Sequence, residues 1–413
     1  MPGKVPKGWR EVRVGQIASE ASNRNRVGED LPVLSMTKHR GFVRSNDYFS
    51  RSVYSESTEN YKIVRRGQFA YATIHLDEGS IDYLRTFDAG LISPMYSVFD
   101  IDLEQIDPNI AFRSFKRFAL SGRFEPYSNG GVNRRKSILF KDLSAFKFAL
   151  PPLSEQRAIA EVLEAVDAAI AKAGAIIEAL AESRVELTRD FQGSEDAPNW
   201  PKRSVGTLVR KCQYGLSIPL DGDGSVPVLR MPDIGDGRVN LDIVTLKSTD
   251  VTPTEIEACA IKLGDILFNR TNSQALVGKT GIVRNMPETK VVFASYLIRL
   301  VSKGTVNPFW LNAVLNMPRT QERLKTLATP GVSQWNINSK TLLRFEVSVP
   351  PKPEQDQFAE LYEAIEARLE AERRKLETLL RARTALSQEL LSGRLRLPDS
   401  MIARYGDNPG QAA

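Results

Sequence analysis

Two stretches of the chain place their apolar residues at alternating steps of four and three. In the first, Ile159, Leu163, Val166, Ile170, Ala173, Ile177, Leu180, Arg184, Leu187 and Phe191 keep that spacing. In the second, Phe358, Tyr362, Ile365, Leu369, Glu372, Leu376, Leu379, Arg383, Leu386 and Leu390 keep it again, every position 199 residues later. A four–three spacing held over about five heptads is a coiled-coil seam. Each run predicts a helix of about 38 residues, roughly 57 Å long at about 1.5 Å per residue. Ser154 and Pro353, each with the Glu that follows, suit helix starts after an extended Pro-Pro. Gly193 and Gly393 suit helix ends. The common register predicts that the two helices pack together, and the duplication favours an antiparallel pair about a pseudo-twofold axis.

The repeat extends beyond the helices. Pro151-Pro152-Leu153-Ser154-Glu155-Gln156 returns as Pro350-Pro351-Lys352-Pro353-Glu354-Gln355. Leu143 and Phe146 map to Leu342 and Phe345, and Trp9 with Val14-Gly15 maps to Trp200 with Val205-Gly206. The residues before each Pro-Pro, 1–150 and 197–349, read as short β-rich runs with turn signals. Helices are expected from Asn109 to Leu120 and from Pro308 to Leu327. The organisation expected is a mixed α+β domain over 1–150, a helix over 151–196, a second domain over 197–349, a second helix over 350–396 and a tail over 397–413.

Composition narrows the class. The 413 residues are 42% hydrophobic and 26% charged, which is ordinary globular usage. No window approaches 18 consecutive apolar residues, and the first residues lack the apolar core of a secretory signal. Cys212 and Cys259 read as reduced thiols, so a cytoplasmic protein is expected. With only His39 and His75, a multi-histidine metal site is excluded. The net charge of +6 is unevenly spread. Residues 1–150 carry 23 basic and 17 acidic groups, and 197–349 carry 19 and 12. Residues 151–196 carry 4 basic and 10 acidic groups, and 350–413 carry 10 and 11. Basic domains joined by an acidic spacer point to a polyanion bound at two places, with the helices facing a protein partner or solvent.

Within the domains the basic residues gather with turn residues. The first cluster holds Arg113, Lys116, Arg117, Arg123, Asn133, Arg134, Arg135 and Lys136, with Gly130-Gly131 between them. The second holds Arg270, Asn272 and Lys279, and Gln334-Trp335-Asn336 falls where Arg134-Arg135-Lys136 stands in the first copy. Asn, Gln and Arg carry the side-chain chemistry for base edges in a major groove. A solvated loop is the competing reading for each single residue. No catalytic motif frames a reaction. Gly278-Lys279-Thr280 lacks the earlier Gly of a phosphate-binding loop, since Ser273 stands there. Asn307-Pro308-Phe309-Trp310 lacks the second Pro of an adenine-methyltransferase motif. Asp107-Pro108 in the first copy shows that both are helix starts, with Asp or Asn as cap and Pro first in the helix.

Taken together, these features resemble the specificity subunits of type I restriction–modification enzymes. The resemblance rests on the duplicated Pro-Pro-X-X-Glu-Gln motif, each copy heading a long helix, on Leu390-Leu391-Ser392-Gly393-Arg394-Leu395, and on Phe268 to Lys279. It implies an α+β chain with two mixed α/β target-recognition domains, separated by a pair of long antiparallel coiled-coil helices. Each domain would read one half of a bipartite, non-palindromic DNA site, and the helices would set the gap. The implied partners are double-stranded DNA, two methyltransferase subunits and, in some systems, motor–nuclease subunits. S-adenosylmethionine, ATP and Mg would sit in those partners and none in this chain, which would not be an enzyme itself. Base contacts are expected at Asn133, Arg134, Arg135, Arg270, Asn272, Gln334 and Asn336. Phosphate contacts are expected at Lys116, Arg117, Lys136, Lys279 and Lys325. Helix packing or subunit docking is expected at Glu155, Gln156, Ile159, Leu163, Val166, Ile170, Ile177 and Leu180. The second helix would use Glu354, Gln355, Phe358, Ile365, Leu369, Leu376 and Leu379. A self-sufficient DNA methyltransferase or nuclease, and a coiled-coil scaffold without DNA, are the alternatives.

Overall fold

The computed structural model describes residues 5–38, 40–49, 54–55, 57–129, 137–193, 199–217, 224–235, 237–331 and 334–406. The chain divides into two compact units, 1–173 with 375–413 and 174–374. Both boundaries fall inside the long helices, Leu153–Gly193 and Lys352–Leu390, so each unit holds one half of each helix.

In the unit of residues 1–173 and 375–413, a four-stranded sheet runs in the order Ala18–Glu20, Tyr96–Ile101, Phe69–Ala72, Ile81–Tyr83. Helix Pro108–Leu120 lies against it and buries Ile110, Ala111, Phe115, Phe118 and Ala119. The core is strongly aromatic: Phe69 stacks on Tyr83 and Phe99, and Phe115 meets Phe148 edge-on. Strand Arg10–Arg13 pairs antiparallel with Lys147–Leu150, so the chain enters and leaves the domain side by side, directly before Pro151. The start of the first long helix and the end of the second then share one apolar cluster: Ile159, Ala160 and Leu163 with Leu390 and Leu391, seated on Ile110. Burying such side chains is worth roughly 1.5–3 kcal/mol each.

In the unit 174–374, a six-stranded sheet runs Val209–Tyr214, Leu297–Ser302, Ile266–Asn269, Thr280–Ile282, Gly237–Val239, Ile234–Gly235. Ile266–Asn269 is buried along its whole length: Ile266, Leu267 and Phe268 form an apolar run, and Asn269 donates to the Met231 carbonyl. Lys202–Ser204 pairs antiparallel with Glu346–Ser348, again joining the domain's two ends beside a Pro-Pro. Leu187 and Phe191 of the first long helix pack on Phe358 and Tyr362 of the second, with the rings of Phe191 and Phe358 4.2 Å apart. In each unit the start of one long helix therefore lies beside the end of the other.

Both proposed helix starts are capped as expected. Asp107 accepts the amides of Asn109 and Ile110, and Asn307 those of Phe309 and Trp310. The single helix expected from Pro308 to Leu327 is instead two, Pro308–Asn316 and Pro318–Thr326. Pro318 holds Met317 extended and has no amide to continue the first helix. At the seam, Arg383 departs from the pattern: it is exposed and reaches Asp167 at 3.5 Å, whereas Arg184 is half-buried and bonds Glu366 at 2.7 Å.

Candidate nucleic-acid interface

In the unit 174–374, two segments that the sequence keeps apart form one surface. Thr271–Asn272 pairs antiparallel with Trp335–Asn336, which pairs in turn with Thr329–Pro330. Arg270 sits at the root of this three-stranded sheet. Its carbonyl accepts the amide of Ile337 at 2.8 Å, and its own amide donates to Tyr296 at 3.1 Å. Its guanidinium lies 4.9 Å from the centre of the Tyr214 ring and donates to Asn336 Oδ1 at 3.3 Å and to the Ser295 carbonyl at 3.4 Å. Tyr214 is held in turn: its hydroxyl accepts the Ser339 amide at 2.9 Å. Arg270, Asn272 and Asn336 are thus brought together, with the exposed rings of Tyr214 and Tyr296 beside them. Such a mix of a preset guanidinium, amide side chains and aromatic faces suits base edges and phosphates alike. Gln334 closes the adjoining turn, its carbonyl accepting the Gly331 amide at 2.7 Å. Lys279 closes the other end of the loop, where Asn269 and Lys279 share a backbone bond of 2.8 Å. Lys325 is half-buried on helix Pro318–Thr326.

In the other unit, Asn133, Arg134, Arg135 and Lys136 lie outside the described residues. Their loop is framed by a two-way backbone bridge between Asn129 and Ser137, at 2.8 and 2.9 Å. The phosphate role expected for Arg117 does not fit its surroundings. Its guanidinium donates to the Leu391 carbonyl at 2.8 Å, and burial pulls its pKa down to about 10. It ties helix Pro108–Leu120 to the end of the second long helix. Lys116 is half-buried, donates to the Lys38 carbonyl at 3.0 Å, and burial lowers its pKa.

Backbone bonds mark three positions that charge patterning missed. Ile138 donates to the Thr73 carbonyl at 2.9 Å as Ile337 does to Arg270, and the Thr73 amide reaches Met95 at 3.3 Å as that of Arg270 reaches Tyr296. Ile74, His75 and Met95 therefore take the places of Thr271, Asn272 and Tyr296, and all three are exposed. The only signal in the sequence was alignment of Phe69–Ala72 with Ile266–Asn269, because none of the three is a Lys or Arg.

The helix residues divide by role. Gln156 Oε1 accepts the Asp107 amide at 2.8 Å, and its Nε2 donates to the carbonyls of Pro151 and Gln105. Gln355 repeats this, accepting the Asn307 amide at 2.9 Å and donating to Pro350. Both glutamines are buried and fasten a domain to its helix, so neither is available for docking. Glu155 is likewise buried, held by Trp9 Nε1 and Arg396, while Glu354 is half-buried. Ile159, Leu163, Phe358 and Leu369 are buried; Val166, Ile170, Ile177, Leu180, Ile365, Leu376 and Leu379 are half-buried. The expectation that the acidic helices face only solvent or a partner needs correction. Arg284 grips Glu363 through two bonds of 2.6 and 2.8 Å, and Arg238 bonds both Glu366 and Glu370. In the other unit Arg113 pairs with Asp167 at 2.5 Å. The basic domains thus take up part of the helical acid within each unit.

Among the described residues no group of His, Cys, Asp or Glu is arranged to hold a metal ion, and no helix is long and apolar enough to cross a membrane.

The sequence model for the type I restriction modification DNA specificity domain matches residues 94–182 and again 204–381. The chain belongs to this family. It is similar to the EcoKI specificity subunit of Escherichia coli, 22% identical over 263 residues, covering 60% of this chain and 56% of that one. It is 24% identical over 196 residues to a sequence assigned as the MjaX specificity subunit in Methanocaldococcus jannaschii, covering 47% of this chain and 46% of that one. The specificity-domain chain thus spans about half the length of these curated relatives. Its fold is that of a crystallised type I S subunit from M. genitalium, with a TM-score of 0.59 at 14% identity, covering 94% of this chain and 99% of that one.

Proposed function

We propose that this chain is the DNA-specificity subunit of a type I restriction–modification complex. Residues 1–150 and 197–349 are its two target-recognition domains, each reading one half of a bipartite, non-palindromic site. Helices 151–196 and 350–396 form an antiparallel coiled-coil spacer that fixes the gap and docks two methyltransferase subunits. Residues 397–413 are a tail. The observation that carries the reading is the double match to the specificity-domain family, first over the end of one domain and its helix and then over most of the second domain and its helix. The repeated Gln156 and Gln355 clamps support a pseudo-twofold plan, because each copy fastens its domain to its helix in the same way.

The chain supplies recognition and no chemistry. Methyl transfer, with S-adenosylmethionine, belongs to the methyltransferase partners. ATP and Mg belong to motor–nuclease partners where a system has them. The cytoplasm is the place of action. Different side chains at corresponding places, Arg270, Thr271 and Asn272 against Thr73, Ile74 and His75, support two unlike half-sites. Base contacts fall to Arg270, Asn272, Gln334 and Asn336 in one domain and to Asn133, Arg134 and Arg135 in the other. Lys116, Lys136, Lys279 and Lys325 serve phosphates.

The test is to co-express the chain with its methyltransferase subunit and map methylated adenines genome-wide by single-molecule sequencing. A split motif with a constant gap is expected. A contiguous motif would overturn the two-domain ruler, and a well-formed complex without any motif would overturn DNA specificity.

A further inference from the structure

The unit 174–374 contains a cavity of about 790 Å³ that plays no part in the interface described above. Its wall carries Arg210, Lys211, Lys262, Arg299, Lys303 and Lys352, against a single acid, Asp265. Two of these cations are already paired. Lys352 bonds both carboxylate oxygens of Asp356, and Arg299 reaches Asp265 at 3.4 Å. Arg210, Lys211, Lys262 and Lys303 are exposed, and among the described residues none of the four is in an ion pair. Four like charges around one hollow repel one another, and an anion seated between them removes that cost. The terminal nitrogens of Arg299 are taken by Asp265, Gln213 and the carbonyls of Ala258 and Ala260. Arg299 is 4% exposed, lines the cavity, and its Nε has no acceptor. The amides at the start of the adjacent helix Pro308–Asn316 are taken by Asn307, so the positive character comes from side chains.

Position separates the cavity from the Arg270 surface. Strands Val209–Tyr214, Leu297–Ser302 and Ile266–Asn269 lie side by side, with Val209 opposite Ser302 and Ile266 opposite Leu300. Tyr214, Asn269 and Leu297 mark one end, where Arg270 stands. Arg210, Asp265 and Ser302 mark the other. Strands of four to six residues set the two ends roughly 13–20 Å apart. The volume falls within the range of about 300–1,000 Å³ usual for small-ligand sites.

We infer that this cavity binds phosphate groups, at a site separate from the base-reading surface. A phosphate concentrates charge and several acceptor oxygens in one small group, which four Lys and Arg side chains lining one hollow match. The phosphates can come from a DNA backbone running past the recognised bases or from a free phosphate compound.

The probe is inorganic tripolyphosphate, titrated calorimetrically into the full-length chain. The cavity variant R210A/K211A/K262A/K303A is compared with K247A/K290A/R319A/R344A, which removes four exposed charges elsewhere in the unit. Thermal unfolding of both, with K262A/K303A as a milder variant, excludes misfolding as the cause. The expected result is at least a ten-fold loss of tripolyphosphate binding in the cavity variant and little change in the control. A parallel titration with a long mixed-sequence duplex separates the sources. Loss of duplex affinity beyond the control's, with a shallower salt dependence, identifies backbone phosphate. Duplex binding equal to the control's identifies a free phosphate compound. If neither tripolyphosphate nor duplex distinguishes the two variants, the inference is wrong. The tripolyphosphate arm is independent of the DNA-specificity reading, so the two can fail separately.

Discussion

Glu155 and Arg396, 241 residues apart in the chain, form a two-bonded ion pair at 2.7 and 2.8 Å. Glu155 is 2% exposed and also accepts the indole N–H of Trp9 at 3.2 Å, while the Arg396 side chain is 40% exposed. The pair ties the segment after the second long helix to the start of the first, within one compact unit. Arg396→Ala leaves a buried carboxylate with one partner. Partial exposure of the arginine tempers the cost, so about 1–3 kcal/mol of stability should be lost. Urea unfolding of the purified chain measures it. A change within about 0.5 kcal/mol would show that the pair contributes little.

Gln156 and Gln355 each bond both a helix-start amide and a Pro carbonyl. Gln156→Ala should cost about 1–3 kcal/mol, because it strands buried backbone groups. Gln156→Glu keeps the acceptor but sets a buried carboxylate against the Pro151 and Gln105 carbonyls, so at neutral pH it should cost at least as much as alanine. If the glutamate variant were as stable as wild type, the bonds to Pro151 and Gln105 would be irrelevant.

Asp107 and Asn307 cap corresponding helices with the same two-amide geometry. Burial holds the Asp107 carboxyl above its ordinary 3.8, against the pull of the two amides and of Arg157 and Arg113. A raised folded-state pKa gives stability that is complete below 3.8 and lost as pH rises through the raised value. Asp107→Asn keeps the cap and removes the titration. Its stability relative to wild type should therefore improve as pH rises from about 4 towards 7. Chemical unfolding across that range tests it, and a difference independent of pH would contradict it.

Arg270 is oriented by Tyr214 beneath it and Asn336 beside it. Arg270→Ala should relax base preference in one half-site only, at about 1–3 kcal/mol. Methylome mapping of the variant complex reads this directly. Uniform weakening on all sequences would instead make Arg270 a phosphate contact. Tyr214→Ala should produce a milder version of the same one-sided loss.

The long helices, their starts and ends, and the Asp107 and Asn307 caps were legible because each rests on local rules: heptad spacing, Pro placement and capping chemistry. The union of Arg270–Asn272 with Trp335–Asn336 was not, because strand pairing over some 60 residues leaves no periodic trace. Nor was the capture of Glu363, Glu366 and Glu370 by Arg284 and Arg238, since charge counting treats domain and helix as separate bodies. Arg117 misled for the same reason: a basic residue among basic neighbours is half-buried and bonds the Leu391 carbonyl at a helix end. The Ile74 and Met95 positions carry no charge and were invisible to a search for basic clusters.

The Arg284–Glu363 and Arg238–Glu366 pairs place donors and acceptors on opposite sides of Pro350. A chimera joined at Pro350 would inherit its arginines from one parent and its glutamates from the other. Compatibility between parents would then depend on three acidic positions, Glu363, Glu366 and Glu370, within the N-terminal half of the second long helix. Lineages that exchange domains by recombination should keep arginine and glutamate travelling together, and crossovers within the helix beyond Glu370 should give viable offspring more often than crossovers at the Pro-Pro itself.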